Sequence, residues 1–136
     1  MSIMMIRLML SGLGKKSKQK VYVLTAGAPP PSIIFKKMKA LGFEVMHVYG
    51  LTETYGHVTQ CAWNDEWKDF DEDRLNEIKA RQGVRYPNTE GVTVLDPETM
   101  KEVPKDGKTI GEIMLRGNVV MKGYFKDKDA TETAMK

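Results

Sequence analysis

Six consecutive residues, Tyr49-Gly50-Leu51-Thr52-Glu53-Thr54, bring together side chains that could hold a nucleotide. An aromatic ring can cover a base by stacking. A glycine lets backbone approach a ligand closely. A hydroxyl can hydrogen-bond phosphate, and a carboxylate can hold Mg²⁺ through oxygen. The same six residues also suit an ordinary strand-to-helix turn, with a packed tyrosine, a capping threonine and a glutamate favoured by the helix dipole. A second cluster, His57 and Cys61, could share a helix face and be drawn with Glu53 as a metal site. A structural zinc normally takes four N/S ligands, and the chain has two His and one Cys, so Cys61 reads better as a small buried hydrophobe.

The elements that must position these residues follow from pattern. Val21-Tyr22-Val23-Leu24 is β-branched and aromatic, hence a strand, stopped by Gly27 and the prolines 29–31. A helix is expected over 32–41, with proline in its first turn, Ser32 as a candidate cap, and Ile33, Ile34, Met38 and Leu41 as its apolar stripe. Gly42 ends it, and the buried strand 44–49 follows. Strand, helix and strand at this spacing make a βαβ unit with a parallel sheet and a right-handed crossover. Ligands of such sheets sit at the carboxyl ends of the strands, where Gly27 and Tyr49 both fall.

Further on, residues 66–81 read as an acidic surface helix broken near 69–73. After Gln82 the pattern turns to short antiparallel β structure: a strand at 92–95, turns at 96–99 and 103–107, a strand over 109–116, and a third expected at 119–121. A last helix is expected from 129, capped by Asp129. The fold class is therefore α/β. The expected parts are a βαβ nucleotide-binding part (21–62), a helical connection (63–86) and a β-rich part ending in a helix (87–136).

Composition bounds the function. A chain of 136 residues with net charge +3 and 29% charged residues suits one small domain with a modest core. Basic residues are spread, apart from Lys15-Lys16-Ser17-Lys18-Gln19-Lys20, which reads as a solvated loop, so nucleic acid is not an expected partner. One cysteine excludes an internal disulfide and fits a reducing, cytoplasmic setting. The apolar stretch 2–13 is too short to span a membrane. It does not read as a signal peptide, because Arg7 interrupts it and no small-residue cleavage site follows closely.

Three blocks carry a resemblance. Tyr49-Gly50-Leu51-Thr52-Glu53-Thr54 resembles the adenylate-binding motif of the adenylate-forming (AMP-dependent) acyl-CoA synthetases. Thr25-Ala26-Gly27-Ala28-Pro29-Pro30-Pro31 is similar to the loop that precedes it in that family. Gly111-Glu112-Ile113-Met114-Leu115-Arg116-Gly117 with Val120-Met121-Lys122-Gly123-Tyr124 is similar to the block that follows. Cys61-Ala62-Trp63 and the segment 80–86 point to acyl-activating enzymes of the short- and medium-chain fatty-acid or aromatic-acid type.

The resemblance implies a two-step reaction with ATP, a small-molecule carboxylic acid and coenzyme A, in which an acyl-adenylate forms and the acyl group then passes to the thiol. It implies that Tyr49 stacks on adenine, Gly50 passes its backbone close to the adenylate, Thr52 bonds the α-phosphate and Glu53 binds Mg²⁺. Gly27, Ala28 and Pro29 line the adenine pocket, and Cys61 is either a small buried hydrophobe or a wall of the acyl pocket. His47 stands where the family often has an asparagine that reads the adenine amino group; a neutral imidazole nitrogen could accept that hydrogen bond, or His47 could be a satisfied half-buried histidine.

The family's lysine-bearing phosphate loop, its ribose-binding aspartate and its C-terminal domain with the catalytic lysine have no counterpart here. The chain therefore reads as an internal fragment of the large N-terminal domain, with no ligase turnover expected of it alone. The alternative is a standalone module that binds a nucleotide or a protein without catalysis.

Overall fold

The computed structural model describes residues 17–28 and 30–135. The apolar stretch 2–13, Lys15, Lys16 and Pro29 lie outside the described residues. The first elements are β1 (Val21–Thr25), α1 (Ser32–Ala40) and β2 (Phe43–Leu51). β1 and β2 pair in parallel, Val21 level with Phe43 and Thr25 level with His47. This is the βαβ unit that the spacing predicts.

Side chains alternate between the faces of a strand. Val23 and Val45 meet Phe35 and Met38 of α1, with Ile34, Phe43 and Ala80 packed around them. The expected stripe contained Ile33; the structure buries Phe35 instead and leaves Ile33 half exposed. Phe35 and Met38 lie three apart and share a face, whereas each residue of displacement turns a side chain by about 100°. Ser32 is not the cap. Pro31 takes that place with φ −56° and makes no side-chain hydrogen bond. The opposite face of β1 is open, with Tyr22 75% and Leu24 54% exposed.

The acidic segment breaks as expected. Asp65–Trp67 forms a single helical turn, and α2 (Glu72–Lys79) begins after Asp71, whose side chain accepts from Arg74 N–H at 2.9 Å. Lys36 and Lys39 of α1 reach Asp73 and Glu72 of α2 at 3.2 and 3.3 Å. Such exposed pairs contribute little, up to about 1 kcal/mol each.

The helix face expected for His57 and Cys61 is absent. Tyr55 (φ 53°) and Gly56 (φ 138°) turn the chain, and Gly56–Gln60 runs on as β3. The β-branched pair Val58-Thr59 is buried there and favours the extended chain. β4 (Val84–Arg85) completes a sheet in the order β1-β2-β3-β4. Gly83 before it is required by both conformation and space. Its φ is +82°, and a Cβ would stand 2.0 Å from the carbonyl oxygen of Gln60.

The chain divides into two compact units: the described residues up to Gly50 with Thr59–Val84, and Leu51–Val58 with the residues from Arg85 onward. In the second, β5 (Gly91–Leu95) and β6 (Glu112–Arg116) pair antiparallel, Gly91 opposite Arg116. β6 starts later than expected because Asp106 ties down Thr109, accepting from its N–H and its hydroxyl at 2.8 Å each. The third strand expected at 119–121 is a turn, in which Val120 N–H donates to the Gly117 carbonyl at 3.1 Å. The final helix, α3 (Lys128–Ala134), is capped by Asp127 rather than Asp129, its carboxylate accepting from Ala130 N–H at 3.0 Å. Among the described residues, no helix is long and apolar enough to cross a membrane.

Candidate functional site

The parallel register brings two loop starts to one end of the β1–β2 pair. β1 ends at buried Thr25, level with His47. The chain then leaves through Ala26, Gly27 and Ala28, all exposed. Gly27 has φ +94° with open space where a Cβ would stand, so conformation rather than crowding calls for glycine here. Beyond His47, Tyr49 and Gly50 are half buried. The first unit thus gathers Gly27, Ala28, His47, Tyr49 and Gly50 at the carboxyl ends of its strands. Pro29 lies outside the described residues.

His47 is fully buried, not half buried. Its Nδ1 lies 3.2 Å from the Ala80 carbonyl and 3.1 Å from the Arg81 carbonyl. Two acceptors at one nitrogen require that nitrogen to carry the proton, so in the neutral ring Nε2 is an acceptor. Nε2 is buried and has no hydrogen-bond partner among the described residues. A buried acceptor without a donor is uncommon in folded proteins.

In the second unit, Thr52–Thr54 form a single helical turn after β2. Thr54, fully buried, holds it: its Oγ1 accepts from Leu51 N–H at 3.0 Å and lies 2.8 Å from the Gly56 carbonyl. The turn presents Thr52 to solvent with Glu53 half buried beside it. Two bonds fix Glu53. Its carbonyl accepts from Met121 N–H at 2.7 Å, and its carboxylate Oε1 accepts from the Tyr124 hydroxyl at 2.8 Å. The Glu53 carboxyl is held below the ordinary glutamate range, first by its own backbone N–H and then by Tyr124. The Tyr124 hydroxyl is correspondingly pushed up, chiefly by its bond to Glu53.

Sequence reasoning assigned no role to Thr54 or Tyr124. Tyr124 closes a block already singled out, but its pairing with a residue 71 positions away carries no local signal. Cys61 is buried, its Sγ donating to the Ile78 carbonyl at 3.3 Å. With Trp63, Trp67, Tyr22 and Met46 it lines an apolar groove of about 510 Å³ in the first unit.

An ionised Glu53 with a neighbouring hydroxyl fits Mg²⁺, which is commonly held by one or two carboxylates, waters and substrate phosphates. Among the described residues, no three His, Cys, Asp or Glu side chains are grouped to hold a metal by themselves.

The sequence profile of the AMP-binding enzyme family matches residues 3–125. The chain belongs to that family. An acetate–CoA ligase of Humulus lupulus is 55% identical over 113 residues, 82% of this chain and 20% of the relative. A peroxisomal acetate/butyrate–CoA ligase of Arabidopsis thaliana is 53% identical over 113 residues, again 82% and 20%. The chain thus spans about a fifth of the length of the curated relatives it matches. Among solved structures, an O-succinylbenzoate coenzyme A synthetase from Bacillus subtilis, in complex with ATP and magnesium ion, superposes with TM-score 0.74. At 20% identity it covers all of this chain, which is 26% of that structure, and establishes the fold alone. The α/β fold described above is part of the N-terminal domain fold of adenylate-forming ligases.

Proposed function

We propose that this chain supplies part of the AMP and Mg²⁺ site of an ATP-dependent acid–CoA ligase. In the first half-reaction a carboxylate oxygen attacks the α-phosphate of ATP, forming an acyl-adenylate and releasing pyrophosphate. In the second, the thiol of coenzyme A attacks the acyl carbon, the C–O bond to AMP breaks, and the thiol proton goes to solvent or a base. The observation that carries this reading is the parallel register of β1 and β2, which sets Gly27 and Tyr49-Gly50 at one end of the sheet.

In this reading Tyr49 stacks on adenine, with Gly27, Ala28 and Pro29 lining the base pocket. Gly50 passes its backbone along the adenylate. Thr52 donates its hydroxyl to an α-phosphate oxygen, and Glu53 supplies a carboxylate oxygen to Mg²⁺. The metal neutralises phosphate charge when bound. His47 Nε2 accepts from the adenine amino group. The substrate is a small carboxylic acid of the kind named for the relatives, such as acetate or butyrate. The free cysteine suits a reducing compartment, for which the cytoplasm is our reading.

Calorimetric titration of AMP into the chain tests the site, with Tyr49→Ala and Glu53→Ala as variants. Tyr49→Ala is expected to weaken AMP binding by roughly tenfold, the scale of one base–aromatic stack. Glu53→Ala is expected to abolish the Mg²⁺ dependence of ATP binding. Binding of AMP that both variants leave untouched would sink the assignment. Pyrophosphate release from ATP and a panel of acids is expected to be absent for this chain alone, and robust turnover would show that more of the catalytic machinery is present than we assign.

A further inference from the structure

Glu53 is held in place by the segment that leads into α3. Its carboxylate is bonded by its own backbone N–H, but that bond moves with the residue and fixes nothing relative to the fold. Two other bonds do fix it. Met121 N–H donates to its carbonyl at 2.7 Å, and the Tyr124 hydroxyl donates to its Oε1 at 2.8 Å. A carboxylate oxygen that accepts one hydrogen bond keeps a lone pair, so Tyr124 orients Glu53 and leaves both oxygens able to bind.

Tyr124 is 39% exposed, so hydrogen bonds rather than burial keep it in place. The half-buried Thr131 of α3 supplies one. Its Oγ1 accepts from Tyr124 N–H at 2.9 Å and donates to the Asp127 carbonyl at 2.7 Å. Asp127 N–H donates back to the Tyr124 carbonyl at 3.3 Å, across a turn that Lys126 closes with φ 56°. Gly123 makes the approach possible, because a Cβ there would stand 2.5 Å from Thr131 Cγ2 and 2.8 Å from its Oγ1. The bonds therefore run without a break from α3 through Thr131 and Tyr124 to the Glu53 carboxylate, all within the second unit.

We propose that Thr131 is a positioning residue: it seats Tyr124, which aims the Glu53 carboxylate, so the seating of α3 and the occupancy of Glu53 are coupled. The link between the three side chains stands on the bonds above. The coupling to a bound metal rests on the assignment of Glu53 as the metal ligand. Coupling between two equilibria is reciprocal. If a seated α3 favours metal at Glu53, metal at Glu53 must favour the seated α3. Thr131 acts through Tyr124 and touches neither nucleotide nor metal.

The experiment compares the natural sequence with Tyr124→Phe, Thr131→Val and Thr131→Ser, with circular dichroism as the check that each folds. Thr131→Ala, which suits a helix better than a β-branched residue, replaces Thr131→Val if the latter does not. The first readout needs no ligand: the Glu53 side-chain carboxyl is titrated by NMR. Tyr124→Phe removes a donor and is expected to move the Glu53 value up toward the ordinary glutamate range. Thr131→Val is expected to move it the same way although the phenol is still present, and Thr131→Ser to leave it in place. The second readout is calorimetry of ATP with and without Mg²⁺. The gain in affinity that Mg²⁺ supplies is expected to fall about three- to tenfold in Tyr124→Phe and in Thr131→Val, the scale of one hydrogen bond. AMP affinity in metal-free buffer is expected to hold. Adding Mg²⁺ and ATP to the natural sequence is expected to slow hydrogen exchange at the Tyr124 amide by about fivefold or more. A Glu53 titration that Thr131→Val leaves unmoved overturns the role of Thr131, whatever the metal does. Equal weakening of AMP and of Mg²⁺-supported ATP binding shows a merely structural role and also overturns it. A Mg²⁺ dependence that survives Glu53→Gln overturns the ligand assignment and the coupling to metal, while the NMR titration still decides the link from Thr131 to Glu53.

Discussion

Removing one hydroxyl should loosen the turn that presents Thr52 and Glu53. Thr54 is 2% exposed, and its Oγ1 accepts from Leu51 N–H at 3.0 Å. The same hydroxyl lies 3.0 Å from the Leu51 carbonyl and 2.8 Å from the Gly56 carbonyl, and one proton serves one of these at a time. Thr54→Val keeps the shape and deletes one accepted and one donated bond. At about 0.5–1.5 kcal/mol each, the loss is about 1–3 kcal/mol. For a chain of this length that is a drop in melting midpoint of roughly 3–15 °C. Thr54→Ser is the control: it keeps the hydroxyl and removes a methyl, at a cost of about 0.8 kcal/mol. Thermal denaturation followed by circular dichroism ranks the variants, and hydrogen exchange at the Leu51 amide reads the turn directly. Val is expected to lie below Ser, with the Leu51 amide losing protection only in Val. A Val variant as stable as Ser, with that amide still protected, would refute the reasoning.

Gly83→Ala sets a Cβ 2.0 Å from the Gln60 carbonyl oxygen at φ +82°, so backbone must move. A loss of about 3 kcal/mol or more in urea denaturation is expected, against about 1 kcal/mol for Gly107→Ala, where space is open and only the positive φ is strained. Burial raises the Glu44 carboxyl, but Lys79 at 2.5 Å and then Lys20 outweigh it, and the result lies below the ordinary 4.5. Because the folded value is depressed, this pair stabilises the fold above pH 4.5 and is lost as pH falls through the folded value. Glu44→Gln should therefore flatten the acid limb of the stability–pH curve, and a parallel curve would contradict the pairing. If His47 Nε2 reads the adenine amino group, AMP should bind more tightly than inosine monophosphate, which lacks it, by about three- to tenfold. Equal binding of the two nucleotides would remove His47 from the site.

The sequence by itself determined the βαβ unit and the family. These are local properties: β-branched and aromatic residues at 21–24, an apolar stripe at helical spacing, and glycine and proline where the chain turns. The same locality explains the differences. Whether Ile33 or Phe35 faced the sheet depended on the rotation at which α1 met β1 and β2. The route from Thr54 to Cys61 depended on a left-handed residue at Tyr55 and on burial of Val58 and Thr59, neither visible in a helical spacing of His57 and Cys61. Asp127 and Asp129 were equivalent as caps until the backbone placed one carboxylate on the Ala130 N–H. The pairing of Glu53 with Tyr124 and the burial of His47 were decided only in three dimensions, because hydrogen bonds between residues far apart in sequence leave no periodicity to read.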